Sequence, residues 1–137
     1  MSLYYQNKKN NPYLMEHSLY KRMAAMILDY PRMRAEIEDA LYGRNLIDAP
    51  SKKSGSGNPT ENKAIRVVQN SAECHAIEQA AIQINSEYYA KNPKFNALEA
   101  FENYNLFSCW LSGAHYNTYR KFKNKFCWRV AKKLGFL

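Results

Sequence analysis

Apolar residues recur along this chain at helical spacing. Tyr20, Met23, Ile27 and Tyr30 fall three or four positions apart and share one face of a helix over about Ser18–Asp29. Pro31 lacks the amide proton that a helix interior needs but suits a first helical position, so it ends this helix and opens another. Met33, Ile37 and Leu41 form the stripe of that second helix, to about Tyr42. A long helix is predicted from Pro59 to about Tyr89, with Asn58 as its cap and Glu61 placed to reach back. Its expected inner face is Ile65, Val68, Ala72, Ala76, Ala80, Ile84 and Tyr88. "KNP", Lys91–Pro93, ends it. Short helices are expected over about Phe95–Tyr104 and in "LFSCWLSG", and a final helix over about Tyr116–Lys133. No stretch reads as a strand, and no repeat is present.

These elements describe an all-α protein in two parts. "APSKKSGSGNP" has nothing to bury and reads as a flexible joint. The expected organisation is an N-terminal helical hairpin over 13–48, a flexible linker over 49–58 and a C-terminal helical domain over 59–137. That domain holds the long helix and a closing helix-turn-helix. Residues 1–12 lack a clear period and read as a loose arm.

Composition adds a partner. The 137 residues carry a net charge of +8, and the sequence pI is about 9.4. His115–Leu137 holds seven Lys or Arg and no Asp or Glu, so this one segment supplies +7 of the +8. A helix face that only solvates usually mixes signs, because Glu–Lys pairs stabilise it. A phosphate backbone relieves the repulsion and gains from counterion release. Polyanions are therefore the expected partners, nucleic acid before membrane. No run approaches the ~18 apolar residues of a membrane span, and no signal-peptide run opens the chain. The three cysteines are odd in number and widely spaced, with no zinc pattern. A reducing cytoplasm is the expected location.

On the final helix, Tyr119, Phe122, Phe126 and Val130 fall on one stripe, the core face. Lys121, Lys125 and Lys132 cluster nearly opposite, with Trp128 between them, Asn117 and Asn124 beside them, and Arg120 flanking. In a helix-turn-helix a small residue in the first helix lets the second pack close, and a turn glycine permits the bend. Cys109 and Gly113 fill those roles here, with Ser108, Ser112, Ala114, Tyr119 and Phe122 at the other inward positions.

Three stretches, "ILDYPRMRAEIEDAL", "NPTENKAIRV" and "TYRKFKNKFCWRVAKKLGFL", resemble the phage-encoded late transcriptional regulators of the RinA/ArpU type. The resemblance implies a small helical protein ending in a helix-turn-helix similar to the DNA-binding part of sigma factors. It implies control of phage or prophage late genes, with the last helix in the major groove. The matching positions are His115, Asn117, Thr118, Arg120, Lys121 and Asn124; His115 stands near where the family often has a Ser. With these, Lys125 and Lys132 complete the expected DNA-binding set. Lysines and Arg120 would hold phosphates, while Asn117 and Asn124 would read base edges, since Asn bonds bidentately to adenine. Expected partners are double-stranded DNA, RNA polymerase and a second copy joined through the N-terminal helices.

Nothing points to an enzyme, a metal or a cofactor. His75 beside Cys74 has no third ligand nearby and reads as a packing residue. "SGSG" lacks the Lys-Ser/Thr of a phosphate-cradling loop, and no carboxylates pair at site-like spacing. Trp110 reads as core. Two alternatives stand beside the regulator: a DNA-packaging component such as a small terminase subunit, and a helical adaptor whose basic tail meets an acidic partner.

Overall fold

The computed structural model describes residues 5–6, 8–42 and 59–137, with side chains described for 5–6, 8–41 and 64–137. The described residues form six helices: α1 (His17–Leu28), α2 (Tyr30–Tyr42), α3 (Pro59–Tyr88), α4 (Ala97–Phe101), α5 (Tyr104–Trp110) and α6 (Tyr116–Lys133). Among the described residues there is no strand. The expected linker over 49–58 lies outside the described residues.

Asparagines set the short helices. The Asn96 side chain accepts from the amides of Leu98 and Glu99, and Asn103 accepts from Leu106. Each satisfies donors that a helix start leaves open. Two caps seven residues apart cut the segment into α4 and α5, so α4 is shorter than expected. α5 closes with the Gly113 amide donating to the Ser108 carbonyl at 2.7 Å, while Ser112 and Gly113 adopt φ of 58° and 80°. That is a Schellman closure, and it supplies the sharp bend into α6. The end of α6 repeats it: Phe136 donates to Ala131, and Gly135 sits at φ 84°.

α6 is the centre of the molecule. Tyr119, Phe122, Asn124, Phe126, Cys127, Val130 and Ala131 are buried along it. α1, α3 and α5 all pack on it, and α4 fits against α3 and α5. Phe95, Phe107, Phe122 and Tyr88 form an aromatic nest with centroids 4.5–6.4 Å apart, Tyr88 stacked on Phe95, Phe107 tilted against Phe122 and the other pairs edge-to-face. Contacts of this kind add to the value of the burial itself.

The N-terminal helices do not form a hairpin. One residue, Asp29, joins them; its carbonyl accepts from Met33 while its amide donates to Ala25. So short a link cannot reverse the chain. α1 therefore lies on α6 and α2 on α3, and the two touch each other only lightly. Tyr20, Met23, Ile27, Met33 and Ile37 join one continuous core with the rest of the protein.

The inner face of α3 is rotated from the expected one. Asn70, Cys74, Ile77, Ala81 and Ile84 are buried, with Ala76 and Ala80 beside them, while Ile65 and Val68 are 51% and 69% exposed. A helix rich in alanine leaves two neighbouring faces nearly equal in hydrophobicity. The choice is made by α2, whose Glu36 accepts from the Asn70 amide at 3.3 Å. His75 is exposed rather than packed.

Candidate nucleic-acid interface

The first turn of α6 gathers four of the expected site residues. His115 is its cap: the imidazole Nδ1 accepts from the Asn117 amide at 3.1 Å. His115, Asn117, Thr118 and Lys121 are all exposed. Arg120 is half-buried, its guanidinium over the rings of Tyr116 (4.9 Å) and Tyr5 (5.2 Å). Lys132 is exposed at the other end of α6, its ammonium over the Trp128 ring at 5.2 Å. Eleven residues at ~1.5 Å each put it ~16 Å from Lys121 along the axis.

Two expected contacts are corrected. Asn124 is not a base-edge reader. It is 2% exposed, and its amide donates to the Tyr13 carbonyl at 2.8 Å and to Gln6 Oε1 at 3.1 Å while its oxygen accepts from Asn11 at 2.7 Å. A helical wheel places it at the edge of the core face, and the N-terminal segment closes over it. Lys125 is not a phosphate contact facing outward. With Arg129 it holds Glu87 of α3 in an ion pair, and its ammonium lies over the Tyr13 ring at 5.7 Å. Burial alone would raise the Glu87 carboxyl, but the hydrogen bonds from Lys125 and Arg129 outweigh it and hold its pKa below the ordinary value.

Lys123 also turns inward, over the rings of Phe101 (5.4 Å) and Tyr119 (5.2 Å). Burial pushes its pKa down. Three of the seven cations in the closing segment thus serve the fold: Lys123, Lys125 and Arg129.

The segment before α1 compensates. Its described part is docked rather than loose. The Gln6 amide donates to the Met15 carbonyl at 2.9 Å and accepts from the Met15 amide at 2.8 Å. Tyr13 meets Trp128 edge-on, centroids 5.3 Å apart. This places Lys9 and Lys121 on the wall of one small cavity of about 100 Å³, shared with Asn10, Asn11, Pro12 and Tyr13. Lys8 and Lys9 are exposed, and Lys9 shares that cavity with Lys121 of α6. Both were visible as charges in the sequence; their position was not, because it depends on Asn124 pairing far along the chain.

The turn before α6 differs in two respects from the expected packing, at Cys109 and at Ser112. Cys109 is exposed; Phe107, fully buried, is the α5 residue that meets Tyr119 and Phe122 at centroid distances of 5.2 and 5.0 Å. Ser112 is exposed as well, while Ser108 and Ala114 are half-buried. Trp110 rests on Phe95 at 5.7 Å and is half-buried.

Among the described residues no cluster of His, Cys, Asp and Glu is placed to hold a metal, and no helix is long and apolar enough to cross a membrane. No protein-family model, curated protein or solved structure matches the chain.

Proposed function

We propose that this chain binds double-stranded DNA and regulates transcription of phage or prophage late genes, acting in the cytoplasm of the bacterial host. The observation that carries the reading is the exposed first turn of α6. There His115, Asn117, Thr118 and Lys121 stand free of acidic neighbours on their own helix, with Lys9 docked alongside and Lys8 next to it in the chain. The first turn of a recognition helix is where base edges are met, and flanking lysines hold the backbone. The helix positive end adds to the attraction for phosphate. The resemblance to the RinA/ArpU regulators supports the same surface. RNA polymerase is the protein partner this reading implies.

The corrected site lowers the expected electrostatic share. Lys8, Lys9, Arg120 and Lys121 contacting phosphate give a log–log salt slope of roughly −3 to −4, at about −0.9 per contact. The test is a salt titration of binding to duplex DNA selected from a random pool. A flat response removes the reading.

A further inference from the structure

A second helical seam runs along α3, on the side away from the core. Ile65, Val68, Ala72, His75, Gln79, Ile82, Ser86 and Tyr89 follow one another at intervals of three and four, the spacing of a coiled-coil seam. All eight are exposed, and the four largest are 51%, 69%, 59% and 63% exposed for Ile65, Val68, Ile82 and Tyr89. The buried seam, Asn70, Cys74, Ile77, Ala81 and Ile84, lies on the opposite side. Scattered surface apolar residues need no explanation, but Ile65, Val68 and Ile82 on α3 and Tyr89 just past its end fall on one uncharged line ~36 Å long.

We infer that this seam pairs with the same seam of a second copy, antiparallel, about a two-fold axis at the level of Ile77. Self-complementarity selects the occupant. In that register Ile65 lies opposite the partner's Tyr89, Val68 opposite the partner's Ser86, Ala72 opposite the partner's Ile82 and His75 opposite the partner's Gln79. Small residues meet large ones at the inner apolar positions, and polar residues meet at the axis. A parallel pairing would set alanine on alanine, leaving a void, and His75 on its own copy. None of the eight positions is Asp, Glu, Lys or Arg, so bringing two copies together creates no charge repulsion along the line. Gln69 and Gln83, both exposed, flank it as uncharged amides.

The surroundings fit a helix. Between the C-terminal half of α3 and the end of α6 lies an open groove of about 690 Å³. Ile82, Gln83, Ser86 and Trp128 line it together with the charged Glu87, Arg129, Lys132 and Lys133. The antiparallel register carries the partner's Val68 and Ile65 into this groove. The contact is isologous, so it closes at two subunits rather than growing. The inference rests on α3 and the adjoining end of α6 and stands whether or not the protein binds DNA.

Sedimentation of the full chain at micromolar concentration gives the first reading, with twice the 16.0 kDa chain mass expected. Val68→Glu with Ile82→Glu, both at exposed positions, should return a monomer with an unchanged helical melt, through at least a tenfold loss of self-affinity. Register is read by oxidation in a Cys109→Ser background. Ala72→Cys with Ile82→Cys should give a covalent dimer in high yield, while Ala72→Cys alone should not. A monomeric wild type overturns the inference, as does an oligomer indifferent to the glutamates or one larger than two subunits. Efficient cross-linking of Ala72→Cys alone overturns the antiparallel register.

Discussion

The Asn11 amide donates to the side-chain oxygen of Asn124 at 2.7 Å, across 113 positions of sequence. The same Asn124 amide donates to the Tyr13 carbonyl and to Gln6. One buried side chain on α6 thus fixes the path of the segment that carries Lys8 and Lys9. An asparagine that seemed placed for DNA holds the protein to itself.

Asn124→Ala should therefore act on stability first. It takes the donor from the Tyr13 carbonyl and one of two donors from the buried Gln6 oxygen, which keeps the Met15 amide, and an unsatisfied buried group costs about 1–3 kcal/mol. A loss of roughly 2–3 kcal/mol in a urea melt is expected, with faster amide exchange over residues 8–16. Any loss of DNA affinity should be equal on selected and random duplexes. A sequence-selective loss with unchanged stability would return Asn124 to the role of base reader.

Glu87 makes stability pH-dependent. Lys125 and Arg129 hold its carboxyl below the ordinary value of 4.5. A carboxylate with a depressed folded pKa stabilises the fold above its unfolded value and loses that contribution as pH falls through the folded one. The pair is partly exposed, so solvent screening limits its worth to about 1 kcal/mol or less. Glu87→Gln should lower the melting temperature at pH 7 by a few degrees at most, and the difference from wild type should vanish as pH falls from 4.5 through the depressed folded value. A gap that persists into acid would mean that Glu87 acts through packing, not charge.

The six helices were legible because period and punctuation agreed: Pro31, Pro59, Gly113 and the stripe Tyr119, Phe122, Phe126 and Val130 all act locally. What the chain did not disclose depends on distant partners. The charge of Lys125 is plain in the sequence, but its ion partner Glu87 lies 38 positions away. Asn124 sits on the border of the wheel, where burial is decided by whatever covers it. The faces of α3 could not be ranked because Ala72, Ala76 and Ala80 serve either side equally. The docked N-terminal segment has no period to read, since single side-chain hydrogen bonds hold it in place of a helix. Candidate site residues survived where they needed only exposure at a helix start, as His115, Asn117, Thr118 and Lys121 did.

Within that first turn, positioning and reading separate. Lys121→Ala should weaken binding about equally on all sequences and make the salt slope shallower by about one. Asn117→Ala should cost roughly 1–3 kcal/mol on the selected site and little on random DNA. Lys125→Ala, whose charge is spent on Glu87, should change the slope by much less than Lys121→Ala. Competition binding at two salt concentrations resolves all three. Equal slope changes for Lys121 and Lys125 would place the ion pair within the DNA contact.

Removing the N-terminal helices tests the shared core. A chain beginning at Ser54 lacks Tyr20, Met23, Ile27, Met33 and Ile37, all of them 4% exposed or less. Each large apolar side chain gains about 1.5–3 kcal/mol on burial, so these five account for on the order of 10 kcal/mol. That equals a typical whole-domain stability of about 5–15 kcal/mol. The loss also removes Tyr20 from beside Cys127 on α6 and strips the partners from Asn124. The shortened chain should then show reduced helicity, a broad thermal transition and DNA binding no better than its charge alone provides. Circular dichroism melts of the two lengths decide it. A sharp transition within a few degrees of the full chain would make α1 and α2 an appendage on a self-sufficient C-terminal domain, and the contacts of α1 with α6 incidental to folding.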